Sequence, residues 1–392
     1  MTFSNRRFGA KLALVVLAAA TAFSLPARAG GYDTGERDWE FLFQSDKVAF
    51  EAGGRYIVPR RTLNNIIGVF GPSPDVREAE AFFVPRLSVA ANFSDAAACM
   101  TSYREPWGGH ANYGAAWTYA ASAVEQHFSS RDYGLTCKVK VPFWRGNLHF
   151  IGGVSYQTVE YQLIQALGPV ARLVTDVGDS GVGWRAGVAF DIPEYALRTS
   201  IIYNSAIDYS MTGTLTTPVV AIPIFGGITM PQSVEWRAQS GVAQDWLAFG
   251  AVKWTDWSVA GNMPLCPVGT PACSLPFAVS ALTLMWKDTW TVTLGAAHRF
   301  NDVVSVAASL TWDQGATQGF TSQTDTWMAQ ATMIAAPNEN LELHLGGGIG
   351  LMTGGSLSTM VLPGGIPNPV GYTATFGDDV LFTVNASAKL KF

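Results

Sequence analysis

The sequence predicts an all-β fold, a 14-stranded antiparallel transmembrane β-barrel with a short N-terminal plug segment. Three observations predict it. The chain opens with an export signal, it is apolar and sparsely charged without holding a spanning helix, and its strands set bulky apolar residues against small or polar ones.

In the signal, Arg6, Arg7 and Lys11 supply a basic start. Leu12 to Phe23 form an apolar run too short to cross a bilayer, and Ala27-Arg28-Ala29 fits a small-x-small cleavage site. Pro26 and Arg28 end the run too early for an anchor. Residues 1–29 are therefore expected to be removed, leaving 30–47 as a plug or hatch remnant and 48–392 as the transmembrane barrel.

Hydrophobic residues make up 48% of the chain and charged residues 14%, against roughly 25% charged in a soluble domain. No stretch past the signal approaches the roughly 18 apolar residues of a transmembrane helix. Only helices and closed barrels satisfy every backbone polar group in lipid, so the barrel remains. The formal charge is -5; removing the four basic residues of the signal leaves 21 basic against 30 acidic, a net of -9. That mild acidity argues against nucleic acid as a partner.

From Val48 onward the chain repeats about ten residues of alternating polarity, then a tight turn or a long loop. Trp290, Val292, Leu294 and Ala296 face one way, with Thr291, Thr293 and Gly295 opposite. Val380, Phe382, Val384, Ala386, Ala388, Leu390 and Phe392 likewise oppose Thr383, Asn385, Ser387, Lys389 and Lys391. A soluble sandwich also alternates, but its large residues point inward; here the small, Gly-rich face would have to be the core. Fourteen strands are expected near 48–60, 80–92, 96–106, 131–142, 147–161, 181–191, 195–210, 229–243, 245–259, 287–299, 303–314, 325–336, 341–352 and 377–392. The brief turns, such as Phe93-Ser94-Asp95, Trp144-Arg145-Gly146 and Phe300-Asn301-Asp302, fall on the periplasmic side, and the long loops outside. Phe392 suits a C-terminal signal to the barrel-assembly machinery, and outer-membrane lipid is the surrounding partner.

Several outer loops are apolar, unlike those of a water-filled porin. The fourth carries Pro218 to Pro231, including Ile224 and Phe225, and the seventh carries Met360 to Pro363 and Ile366 to Val370. The third, from Tyr161 through Leu163 and Leu167 and again from Val170 to Val174, reads as an amphipathic helix broken at Gly168-Pro169. Such surface marks a binding groove for a hydrophobic ligand, or loops packed on each other as a lid. Both readings are compatible.

The expected inward set holds Arg86, Arg185, Arg198, Arg237 and Lys253, with Glu51, Glu235 and Glu342. Lys253 shares its face with Leu247, Phe249 and Ala251. An ammonium beside an apolar wall suits an acyl chain with a carboxylate head. The alternative is lumen ion pairs, such as Arg237 with a neighbouring glutamate, that stiffen the barrel. Candidate substrate contacts are thus Lys253, Phe249, Leu247, Arg237, Arg185, Leu163, Leu167, Ile224 and Phe225.

The four cysteines suit an oxidising compartment. Cys266 and Cys273 flank a Pro-rich segment and read as a local disulfide, and Cys99 and Cys137 as a cross-strand one. Neither pair has zinc spacing or a nearby histidine, so no metal is expected. His110, His127, His149, His298 and His344 are scattered, and GxSxG, HExxH and P-loop motifs are absent. No enzyme and no cofactor is expected.

Ser180-Gly-Val-Gly-Trp-Arg-Ala-Gly-Val-Ala-Phe190 and Leu197 to Gly213 resemble the sixth and seventh strands of the FadL family of outer-membrane transporters for long-chain fatty acids and aromatic hydrocarbons. Met230-Pro-Gln-Ser-Val-Glu-Trp236 and Asp245 to Ser258, ending Trp254-Thr-Asp-Trp-Ser258, resemble its eighth and ninth. The resemblance implies a monomeric barrel plugged by an N-terminal hatch. Ligand would be captured at outer loops, held at an interior site and released through a lateral opening at a kinked strand, by diffusion alone. This chain departs twice. Only Gly30 to Lys47 precede the first strand, with no Asn-Pro-Ala motif, and Trp39 to Phe43 is the remnant plug. Gln165 stands where a basic residue follows the fifth strand, which favours neutral hydrocarbons over fatty acids. The competing functions are a general diffusion porin for small polar solutes and, further off, an outer-membrane hydrolase.

Overall fold

A computed structural model describes residues 31–35, 39–168 and 170–392. The expected export signal and Gly30 lie outside the described residues. Fourteen strands build the wall: β1 Val48–Pro59, β2 Phe82–Ser94, β3 Ala97–Arg104, β4 Glu125–Phe143, β5 Gly146–Leu167, β6 Ala171–Ile192 and β7 Leu197–Asn204, then β8 Ser233–Ala243, β9 Trp246–Thr255, β10 Thr289–Arg299, β11 Val304–Asp313, β12 Thr326–Asn338, β13 Leu341–Met352 and β14 Asp379–Lys391. Each pairs antiparallel with the next, and β1 closes on β14 from Ala49↔Lys391 to Pro59↔Leu381. Closure pairs the first strand with the last, so the sheet has no terminal edge strand.

Alternation sets the two faces. Tyr56, Phe83, Tyr156, Trp184, Trp236, Leu294, Leu345 and Val384 are exposed on the outside. The in-between positions are buried and mostly polar, among them Glu51, Arg55, Ser88, Asp132, Arg185, Glu235, Thr293, Gln330, His344 and Lys389. Aromatic residues ring both ends of the outer face, as Trp246 and Trp254 do on β9. Eight residues at about 3.3 Å each, tilted as barrel strands are, separate those rings by about 20 Å, near the height of an outer-membrane apolar band. Leu294 is 68% exposed on that band. Leu294→Arg is expected to destabilise the barrel by about 2–4 kcal/mol, read as a lower midpoint of denaturant unfolding in lipid vesicles. An unchanged midpoint would mean that this face does not meet lipid.

The structure corrects the reading of the third outer loop. Tyr161–Val174 is not a broken helix; it is the end of β5, a turn with Gly168 at φ 77° and the start of β6. Val159, Tyr161 and Leu163 all point inward, which is period two. The helical spacing of Leu163, Leu167, Val170 and Val174 was an accident of a short apolar run, where periodicity does not separate helix from strand. The strands β4, β5 and β6 run 19, 22 and 22 residues, far beyond the roughly 9–11 needed to cross a bilayer. Their upper halves stand outside the membrane and carry the outer loops. Against them pack Met211, Ile224, Ile228, Met230, Trp257, Met263, Leu265, Leu282 and Trp286. Each such side chain contributes roughly 1.5–3 kcal/mol by burial. The apolar loops therefore fold in as a cap. Cys99–Cys137 and Cys266–Cys273 are both disulfides, the first joining directly opposed residues of β3 and β4.

Candidate functional site: an inner segment, a cavity and a break in the wall

Residues 39–43 form a single 3-10 turn inside the barrel. Trp39, Phe41, Leu42 and Phe43 pack on the inward Ala49, Ala90, Met100, Ile151, Ala189 and Ile202. The aromatic content of this turn answers the charge of the lumen around it. Arg104 and Arg185 lie over the Trp39 ring at 5.2 and 4.5 Å, Lys389 over Phe41 at 5.3 Å, and Lys138 and Arg198 over Phe43 at 4.5 Å each. Cation–π attraction at desolvated positions like these is worth about 1–2 kcal/mol each. Glu40 adds an ion pair with Arg198. Below the turn a vestibule of about 620 Å³ faces the short turns, lined by Lys47, Lys138, Lys140, Arg198, Lys389 and Lys391 against Asp46, Asp95 and Asp191.

Upstream of the turn, residues 31–35 run along the inside of β3, where the wall is interrupted. β3 pairs with β2 up to Arg86↔Arg104 and resumes after a break as Gly108–Asn112, which meets the chain ahead of β2 at Ala79↔Ala111, with Glu80 N–H donating to the His110 carbonyl at 3.1 Å and Asn112 N–H to the Glu78 carbonyl at 2.9 Å. Both pairs belong to one register, so residues 81–85 and 105–109 face each other unpaired across a gap. On the other side, three residues, 105–107, oppose two of β4, 130–131. This bulge turns Trp107 inward, where its indole Nε1 donates to Gln157 Oε1 at 2.8 Å. The freed backbone groups are met from inside: Thr34 N–H donates to the Pro106 carbonyl at 3.0 Å and Gly108 N–H to the Tyr32 carbonyl at 2.8 Å. Thr34 Oγ1 donates to the Glu105 carbonyl at 2.6 Å. Asp33 is buried and ion-paired with Lys253 of β9. A Cβ on Gly109 would lie 2.7 Å from the Tyr32 ring, so the absent side chain is what lets that ring close on the break. Tyr32 also stacks on Phe128, with ring centroids 4.7 Å apart.

Above this segment lies a cavity of about 370 Å³. Tyr32, Tyr113, Tyr161, Leu163, Leu282, Trp286 and Tyr372 give it apolar and aromatic walls, and Phe82, Gly108 and Gly109 place its side on the gap. Polar side chains line the rest of it, Arg61, Glu78, Gln126, Asp313 and Asn368 among them. Glu78 accepts hydrogen bonds from Tyr113 Oη at 3.0 Å and Ser322 Oγ at 2.5 Å. Burial pushes its carboxyl above the usual range, against the lowering effect of those hydroxyls and of Arg61. Burial likewise raises the Tyr113 phenol, with Glu78 adding to it. Among the described residues no group of histidine, cysteine and carboxylate side chains is placed to hold a metal.

Of the candidate substrate contacts, Leu163 lines this cavity, together with Leu362 and Val370 of the seventh outer loop and with Gln165, whose amide donates to the Ala121 carbonyl at 2.9 Å. Leu167 is exposed at the β5–β6 tip, Ile224 is buried in the loop cap, and Phe225 is half-buried beside it. Leu247 packs with Ala196, Ala297, Ala307 and Ile334, with Phe249 against them. Arg237 pairs with Glu235 at 2.8 Å, Arg86 with Glu51 at 2.5 Å, and Arg185 donates to Thr136 at 2.8 Å and lies 3.9 Å from Asp132. Glu342 pairs with Lys391 and His344, each at 2.7 Å. Sequence reasoning passed over Glu78, Tyr32, Tyr113, Tyr372 and Trp286. All come from loops or the inner segment, where no periodicity announces an inward side chain.

No protein-family model and no curated protein matches the chain. Solved structures do. A crystal structure of a Pseudomonas aeruginosa FadL homologue superposes with a TM-score of 0.79 at 15% identity, covering 95% of this chain and 98% of that one. The P. putida toluene transporter TodX gives 0.61 at 11% identity over 90% and 92%. The Ralstonia pickettii toluene transporter TbuX gives 0.60 at 11% over 95% and 97%. In its closed fourteen-stranded barrel the chain has the fold of the FadL homologue and of the TodX and TbuX toluene transporters.

Proposed function

We propose that the protein is an outer-membrane channel for passive uptake of hydrophobic small molecules, long-chain fatty acids or aromatic and aliphatic hydrocarbons. It would be exported by the signal at 1–29, inserted through recognition of Phe392, and work as a monomer in lipid without cofactor or covalent chemistry. The observation that carries the reading is the position of the cavity: it opens toward the outer loops and its side wall is the unpaired stretch between β2 and β3. An apolar solute leaving water gains about 25 cal/mol for each Å² it buries, and the gap between β2 and β3 gives it a sideways exit into lipid without crossing the charged vestibule. Residues 31–47 act as the plug, with Lys253 holding it through Asp33. The fold shared with FadL and TodX channels supports the same reading.

The test is uptake of radiolabelled toluene and oleate by an outer-membrane-transporter deletion strain with and without this gene. Faster uptake of at least one is expected. No difference for either, or large steady ion conductance from the unmodified protein in planar bilayers, would remove the reading; the second result would favour a porin.

A further inference from the structure

The upper cavity is acid-rich in a way that lumen ion pairing does not explain. Arg61 is the only lysine or arginine among its described lining residues, and Arg61 is committed. It pairs with Asp379 at 3.3 Å and donates to the carbonyls of Thr353 and Gly377 at 3.2 and 3.1 Å. The same guanidinium feels Glu78, Asp378 and Asp379 together, so one positive charge serves three carboxylates. Among the described residues Glu78 itself is held by two hydroxyls and has no cation at ion-pair distance, Arg61 acting on it only from further away. Aromatic faces surround it: the Tyr113 phenol donates to it, and Tyr32 and Tyr372 lie within electrostatic range. A carboxylate without its own cation, set among aromatic rings, is the environment that holds an ammonium group, by charge and by cation–π attraction.

Resting on the channel reading above, we infer that the cavity selects hydrophobic amines, compounds with an aromatic or alkyl body and a protonated or quaternary nitrogen, over carboxylates of the same size. The nitrogen sits at Glu78 and the body along Tyr113, Tyr32 and Trp286. The lower vestibule agrees with this. It is lined by five lysines and Arg198, so a cation captured above is repelled from the axial route and leaves through the gap at Phe82 and Gly109.

Glu78 in the empty protein carries a cost. Its folded-state carboxyl is shifted up, so it favours folding below its unfolded value and loses that contribution as pH rises through the folded one. Burying this carboxyl therefore costs stability as pH rises, as expected of a residue kept for a ligand.

The experiment uses the full mature chain in non-ionic detergent, with 4-phenylbutylamine, 4-phenylbutanol and 4-phenylbutyrate as probes in isothermal titration at pH 7.5. The amine is expected to bind about tenfold or more tighter than the alcohol, and the carboxylate weakest. Glu78→Gln should remove the advantage of the amine while leaving the alcohol unchanged, and should raise the thermal midpoint of the ligand-free protein. Tyr113→Phe keeps the charge and should keep the preference. Amine and alcohol binding alike, or an amine preference that survives Glu78→Gln, overturns the inference while leaving the channel reading intact. Binding of none of the three would count against the channel reading itself. Should the Glu78→Gln protein fail to fold, the comparison on the unmodified protein decides alone.

Discussion

Replacing Lys253 with methionine is expected to turn a nearly closed pore into a conducting one. Lys253 is the ion-pair partner of Asp33, and Asp33 is 4% exposed. Removing one member of a buried pair leaves an uncompensated charge, at about 3–5 kcal/mol, on the order of a hundredfold or more in the closed-to-open ratio. Among the described residues, 31–35 are also tied by hydrogen bonds at Tyr32 and Thr34 and by the stack of Tyr32 on Phe128, each worth less than the buried ion pair. Residues 31–35 should then leave the break in β3 and uncover the cavity from below. Single-channel recording in planar bilayers reads the result as long open events absent from the unmodified protein. The double variant Asp33→Leu/Lys253→Met restores apolar contact with no orphan charge and should close the pore again. A single variant as quiet as the unmodified protein, or a double variant as open as the single, would show that the pair does not latch the segment.

The second large effect is expected from cross-linking the gap. Positions 85 and 105 lie one step beyond the last β2–β3 pair, Arg86↔Arg104. Opposed strand residues sit about 4.5–5.5 Å apart, within the span of a disulfide. In Pro85→Cys/Glu105→Cys, oxidation draws the strand ends together, and uptake of hydrophobic probe should fall roughly tenfold or more because the narrow exit is shut. Dithiothreitol should restore it. Cysteines at Val89 and Thr101, already paired, are the control for the reagent and for the native disulfides; they should change nothing. Unaltered uptake through the cross-linked wall would mean that solute passes along the barrel axis instead.

These expectations depend on features of unequal visibility in the chain. The wall was legible because the lipid imposes one rule on every strand, and Leu294, Phe382 and Trp290 obey it residue by residue. The strand count followed, as did the fact that Arg237 and Glu342 face the lumen. The break in β3 was not legible from residues alone. Pro106 and the two glycines after it suit a bend, but a bulge is defined by what the neighbouring strand does, and the opposing residues of β2 and β4 lie 20 or more positions away. Strand lengths in β4 to β6 were underestimated for a related reason: above the membrane the outer face no longer needs bulky apolar residues, so Gln162 and Asp176 read as loop.

Composition and period-two patterning by themselves determined that this chain closes a barrel with its bulky side chains in lipid, since that choice is local and repeats with each residue. Only the tertiary structure decided where Asp33, Glu78, Lys253 and the Tyr32 ring come to rest. The physical reason is that a lumen charge is satisfied by whichever opposite group the closed wall carries past it, here 220 residues along the chain for Asp33 and Lys253.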